Sequence, residues 1–123
     1  MTLLRRQLVL LTFFMSVACA GSPAAPDSTS STPAWLTALV QQSEVQPVAN
    51  PPAFIARYDY KGQTVYFQLQ RCCDVMSVLY RLDGSIACHP NGGVTGTGDG
   101  KCADFFVERR NERIVWRDPR GAS

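Results

Sequence analysis

Cys72, Cys73, Cys88, His89 and Cys102 are the residues of this 123-residue chain best equipped for chemistry. Thiolates and an imidazole can hold a soft metal such as zinc or copper, or attack an electrophile. Zinc sites place paired cysteines two to four residues apart, so that one turn presents both sulfurs. Cys72 and Cys73 are adjacent instead, and neighbours in an extended segment point to opposite faces. An oxidising compartment would also consume free thiols. No metal and no other cofactor is therefore expected. His89 is the only histidine, so any serine or cysteine nucleophile would need it as base. Cys88 cannot be that nucleophile from the next position on a strand, and no pair of cysteines has the two-residue spacing of a redox motif. Asp99 and Asp104 form an acid-base pair of the kind any acidic chain offers. No catalytic residue is assigned, and the chain is not expected to be an enzyme.

The stretch 91–101, Asn-Gly-Gly-Val-Thr-Gly-Thr-Gly-Asp-Gly-Lys, tempts a phosphate reading. A phosphate-binding loop needs glycine where Thr95 stands and serine or threonine where Cys102 follows Lys101. It also lacks the spaced oxygen ligands of a calcium loop. The expectation is a tight loop with several glycines at positive φ, pinned by Cys102. A recognition surface, if the domain has one, is expected here, with Asn91, Asp99 and Lys101 as polar contacts.

The fifth cysteine, Cys19, closes a different pattern. Arg5 and Arg6 precede an apolar run over 8–18, followed by small residues, which reads as an export signal over 1–18. The run is too short for a permanent membrane span, which takes about 20 apolar residues. Met15-Ser16-Val17-Ala18-Cys19 resembles the bacterial lipoprotein signal, whose cysteine is acylated and becomes the new amino terminus. Ala18-Cys19-Ala20 also satisfies the small-x-small pattern of an ordinary signal peptidase, so cleavage after Ala20 competes. Lipidation accounts for Cys19, and more than one acyl chain makes a stable anchor. The expected location is the cell envelope, exported and tethered to a membrane through Cys19.

Residues 19–33 carry Ala, Ser, Thr and Pro with no large apolar side chain, a linker composition. A coil of this length spans about 20 Å. The folded domain then occupies 34–123, small enough to need staples. Arg5 and Arg6 are two of 12 basic residues, so their removal leaves ten against ten acidic. That neutrality argues against nucleic acid as a partner. Arg109, Arg110, Arg113, Arg117 and Arg120 cluster late, but Glu108, Glu112 and Asp118 interleave with them as a mixed, solvated face.

A helix is expected over 33–43, capped by Thr32, with Trp35, Leu36, Leu39 and Val40 on one stripe. Strands over 54–60 and 63–70 flank Lys61-Gly62, a two-residue hairpin turn. With that turn Tyr58 faces Val65, Ala56 faces Phe67 and Phe54 faces Leu69, so six apolar side chains share a face and the ribbon is half-buried. A second hairpin is expected over 76–82 and 85–89, with Asp83-Gly84 as a type I′ turn and no clear choice of buried face. Asp104 should cap a short helix to about Arg110, and 112–117 should return as a last strand carrying Ile114 and Trp116. The sum is an α+β domain: a small antiparallel sheet of two hairpins plus a last strand, with an N-terminal and a short C-terminal helix.

Cys72-Cys73-Asp74, Leu79-Tyr80, Asp83-Gly84, Cys88, Gly92-Gly93, Gly96, Gly98-Asp99-Gly100-Lys101-Cys102 and Asp104-Phe105-Phe106 form one ordered pattern. It is similar to a bacterial family of small exported proteins, many with lipoprotein signals, classed as a domain of unknown function. The resemblance spans 51–118, implies export and disulfides, and transfers no catalytic residue. Two disulfides are expected among Cys72, Cys73, Cys88 and Cys102. A bond between the adjacent pair would be strained, which leaves Cys72 with Cys88 and Cys73 with Cys102, or Cys72 with Cys102 and Cys73 with Cys88. The functional expectation is a non-catalytic, membrane-anchored envelope lipoprotein with a binding or structural role and an envelope partner not identified. Two alternatives stay open: an inhibitor-like module presenting the 91–101 loop, and a metal- or thiol-binding protein using the cysteines with His89.

Overall fold

A computed structural model describes residues 31–70 and 74–121 of the chain. The expected export signal, Cys19, most of the linker, and the Cys72–Cys73 pair lie outside those residues. The described part is α+β, with five strands in one antiparallel sheet. They are β1 (Phe54–Tyr60), β2 (Gln63–Leu69), β3 (Val78–Arg81), β4 (Ile86–Cys88) and β5 (Arg110–Arg117), in the order β4-β3-β2-β1-β5. Helix α1 (Ala34–Glu44) lies on one face and a single turn, α2 (Phe105–Glu108), on the other.

The first hairpin has the expected register, with Tyr58 opposite Val65, Ala56 opposite Phe67 and Phe54 opposite Leu69. Lys61 and Gly62 both take positive φ, 49° and 76°, as a type I′ turn requires. The pleat sends Ala56, Tyr58, Val65 and Phe67 into a core with Leu79, Cys88 and Phe105. Ile55 and Tyr66 go the other way, against Leu36, Trp35, Leu39 and Val40 of α1. The ribbon is thus buried on both faces rather than one, because each face receives a helix.

Phe105 organises the first core. Its ring is fully buried, stacks on Phe67 at 5.5 Å and meets Tyr58 and Tyr60 edge-on at 5.5 and 5.4 Å. Two carboxylates then tie the tyrosine hydroxyls to the α2 side of the sheet. Tyr58 donates to Glu112 in a short hydrogen bond and accepts from Arg109 at 3.1 Å. Tyr60 donates to Asp104 at 2.5 Å, and Lys61 pairs with the same carboxylate at 2.6 Å. Asp104 does flank α2, but this carboxylate makes no capping bond to the helix backbone.

Other local expectations change for identifiable reasons. Pro33 itself is the residue before α1, with no side-chain cap, and its carbonyl accepts the N–H of Leu36 and Thr37, so Thr32 has no capping role. Asp83 does not take positive φ; Gly84 alone does, at 87°. The turn is a three-residue one in which Gly84 N–H donates to Arg81 O, Arg81 N–H to Ser85 O, and the Asp83 carboxylate accepts from Ser85. A Cβ on Gly84 would press into the Trp35 ring at 2.8 Å. Strand β3 buries both faces, Leu79 toward Phe105 and Tyr80 toward α1, while Leu82 and Ile86 remain exposed. Strand β5 begins at Arg110 and pairs with β1 through two register shifts, with Asn111 at φ 55° and Arg57 facing Arg113.

The disulfide pairing also differs from both arrangements proposed from the sequence: Cys88 is bonded to Cys102, their Cα atoms 6.2 Å apart. Cys88 faces the Phe105 core at the end of β4, and the glycine loop folds back so that Cys102 arrives beside it just before α2. The bridge therefore closes the loop locally instead of reaching the first hairpin. Its 14-residue separation corresponds to about 3 kcal/mol in the chain-entropy account. Replacing Cys88 and Cys102 together by alanine should lower the urea unfolding free energy by about that amount, and peptide mapping of the native protein should recover the two cysteines in one bridged fragment. Phe105→Ala should cost more, about 3–5 kcal/mol, because it empties the centre of the core; a loss under about 1 kcal/mol would show that the ring does not hold the core together.

Candidate functional site

A cavity of about 360 Å³ opens between the last turns of α1, the 45–53 connection and the sheet face of β2 and β3. Gln68 reaches it because it alternates with Phe67, which faces the opposite core. Gln70 follows on the same side by the two-residue period. From the helix, Gln42 and Ser43 approach the opening, and Gln46 enters just after the C-terminus, its N–H donating to Ser43 O at 3.2 Å. Tyr80 comes from β3, whose register sets it opposite Tyr66 on the same face.

These groups form a directed relay. The Tyr80 hydroxyl donates to Gln68 Oε1 at 3.1 Å, Gln68 Nε2 donates to Ser43 Oγ at 3.2 Å, and Ser43 Oγ donates back to Leu39 O at 2.8 Å. Such back-bonding is the usual way a serine inside a helix satisfies its hydroxyl. Gln68, only 9% exposed, is thereby held in one orientation. Among the described residues, the carboxamides of Gln42, Gln46 and Gln70 have no hydrogen-bond partner and remain open to solvent.

The electrostatics are neutral. Asp118 lines the cavity and is 2% exposed, but Arg120 takes both its oxygens, Nε to Oδ1 at 2.8 Å and Nη2 to Oδ2 at 2.7 Å. The guanidinium, together with the Arg120 N–H, holds the Asp118 carboxyl below the usual carboxylate range. Burial pushes the Tyr80 phenol up, so it stays protonated. Among the described residues, the lining offers donors and acceptors without a free charge.

The 91–101 loop is built differently. Gly92, Gly93, Gly96, Gly98 and Gly100 all take positive φ, as expected. Gly98 is tightest, since a Cβ there would collide with His89 O. Asn91 is tied into Ser77: the Ser77 hydroxyl donates to its side-chain oxygen in a short bond, and Asn91 N–H donates back at 3.2 Å. The Asp99 carboxylate accepts the Lys101 N–H at 3.0 Å, the main reason its carboxyl sits below the usual range. Val94 stands 97% exposed at the tip. Of the three polar residues singled out in this loop, only Lys101 keeps its side chain free of a partner among the described residues.

The cysteine and histidine cluster is not assembled as a metal site. Cys88 and Cys102 are joined to each other, and the His89 ring approaches Ser77 O through Nδ1 at 2.9 Å. Among the described residues no group of three or more potential ligands comes together, and no helix is long and apolar enough to cross a membrane. Sequence reasoning missed the cavity. Its signal was present as glutamines four apart at the end of the helix, Gln42 and Gln46, and two apart at the end of a strand, Gln68 and Gln70.

A family model described as "Domain of unknown function (DUF6970)" matches residues 41–118. That span includes all of the described cavity lining except Leu39, the loop and both bridged cysteines. No curated protein and no solved structure matches the chain.

The charged ties of the fold set a pH window. The Asp104 carboxyl is lowered, first by Lys61 and then by Tyr60, and Asp118 by Arg120. A carboxyl whose folded pKa lies below its unfolded value, about 3.9, stabilises the fold above that value and loses its contribution as pH falls through the folded one. The Tyr58 phenol is pushed up to about 12 by burial and the Glu112 bond, partly offset by Arg109. Its contribution is complete below the unfolded value of about 10 and is lost as pH rises through about 12. Melting temperature should therefore fall below pH about 4, less steeply in Asp104→Asn and Asp118→Asn. The absorbance titration of the tyrosines should contain a step near 12 that Tyr58→Phe removes.

Proposed function

The chain belongs to the DUF6970 family of unknown function, and from that premise we propose that it is a non-catalytic binding module whose ligand enters the cavity under α1. The observation that carries this reading is the cavity's lining. Gln42, Gln46 and Gln70 present unpartnered carboxamides, while Gln68 is locked by Tyr80 and Ser43. Binding sites of this kind are concave and largely pre-formed, with a few fixed polar groups that orient the ligand. Groups that could transfer protons are occupied elsewhere: Asp118 is neutralised by Arg120, and His89 lies on the loop side beside Ser77. The lining supports holding a molecule rather than changing it.

The module is exported through the signal over 1–18 and acylated on Cys19, with the 19–33 linker spacing the domain about 20 Å from a bacterial envelope membrane. The basic start, apolar run and small residues around Cys19 support this. A second reading, an inhibitor-like module, is favoured by one feature: the 91–101 loop is clamped by the Cys88–Cys102 bridge and carries the exposed Val94 at its tip.

Two measurements check the proposal. In a bacterial host the full chain should fractionate with membranes and carry added acyl mass on Cys19, and Cys19→Ala should move it to the soluble fraction; an unchanged distribution would overturn the anchor. For the site, amide spectra of the labelled domain titrated with a panel of small polar solutes should show saturable shifts at Gln42, Gln46, Gln68 and Gln70 that Gln70→Trp suppresses. Shifts gathered on 91–101 instead would transfer the function to the loop.

A further inference from the structure

We infer that the occupant of the cavity is an uncharged, hydroxyl-rich molecule, a neutral saccharide of one or two rings. This rests on the binding reading above and specifies its ligand. Charge decides the first half. Among the described lining residues Asp118 is the only carboxylate, and Arg120 takes both of its oxygens, while Tyr80 keeps its proton. A charged ligand would leave water and find no free counter-ion among the described lining residues, the costliest kind of burial. An apolar ligand would strand the glutamine, serine and tyrosine groups instead.

Group matching decides the second half. A carboxamide offers one acceptor oxygen and two donor hydrogens in a plane, whereas a sugar hydroxyl both donates and accepts. Neighbouring hydroxyls on a ring can therefore meet one amide with a donor and an acceptor at once. The relay leaves such sites open in fixed directions. Gln68 spends its oxygen on Tyr80 and one N–H on Ser43, keeping its second N–H, and the Tyr80 oxygen keeps its lone pairs. Gln70 brings a whole amide from the adjoining strand end.

Shape separates a saccharide from a peptide, the other ligand rich in donors and acceptors. Strands β2 and β3 are paired on both sides, so no free strand edge faces the cavity for a peptide backbone to extend. The volume of this half-open cavity, about 360 Å³, equals about a dozen waters at ~30 Å³ each. That accommodates compact rings rather than an extended chain.

The test uses the folded domain and named probes: N-acetylglucosamine and maltose as neutral saccharides, glucuronate and glucosamine as charged rings of similar size, and N-acetylglycinamide as the peptide mimic. Side-chain amide resonances of Gln42, Gln46, Gln68 and Gln70 should shift saturably with a neutral saccharide, with Kd on the order of millimolar. The charged rings and the peptide mimic should bind at least about tenfold more weakly. Gln68→Leu should abolish the shifts; Gln70→Ala should weaken them and guards against a folding defect in the first variant, whose melting temperature is read alongside. Equal or tighter binding of a charged ring or of N-acetylglycinamide at these resonances overturns the saccharide while leaving the cavity as the binding site. Saccharide shifts confined to 91–101 overturn both. Silence from every probe at tens of millimolar overturns the saccharide, and the wider solute panel then decides the cavity.

Discussion

When Tyr58 pairs with Val65 across the Lys61-Gly62 turn, the pleat assigns every residue of two strands to one of two cores. Ala56, Tyr58, Val65 and Phe67 go to Phe105; Ile55, Tyr66 and Gln68 go to α1. A slip by one residue would exchange these sets, putting Gln68 against the Phe105 ring and Phe67 in the cavity. The positive φ at both turn positions fixes the loop length and so the register. Helix α1, the aromatic core and the cavity all inherit their places from that turn.

The two faces solve their packing differently. On the α2 side, one helical turn supplies little apolar surface, so tyrosines reach carboxylates and the Cys88–Cys102 bridge sits beside Phe105. On the α1 side, the helix gives Trp35, Leu36, Leu39 and Val40 to the core and then turns polar at Gln41-Gln42-Ser43. The apolar stripe ends before the sheet does. Beyond that stripe the sheet carries Gln68 and Gln70, which line a cavity together with the end of α1 and residues of the 45–53 connection.

The fold was legible wherever a residue's neighbours in sequence were also its partners in space. The first hairpin is the clearest case, because its alternation and turn agree. The helix stripe and the returning strand with Trp116 were legible for the same reason. Asp83 was misread in its backbone conformation and Asp104 as a local device. Both looked like turn or cap residues, but Asp83 kept negative φ by bonding Ser85, and Asp104 bonded Tyr60 and Lys61 from a distant hairpin. The disulfide was misread because adjacency of Cys72 and Cys73 drew the pairing toward them, whereas the glycines let Cys102 return to Cys88 over a short path. The cavity was invisible because its glutamines come from elements that meet only after both cores have formed.

The outermost strands carry one more consequence. Sheets join one another through their margins, whose free N–H and C=O groups accept any extended chain. One margin, β4, is three residues long. The other, β5, is interrupted by two register shifts, twisted at Asn111, and bears Arg110, Arg113 and Arg117. Molecules held side by side on a surface meet at effective concentrations far above those of free solution. Two β5 margins brought together would set arginine against arginine along strands that lose step after a few residues. Edge-to-edge pairing through β5 therefore has little continuous seam to extend.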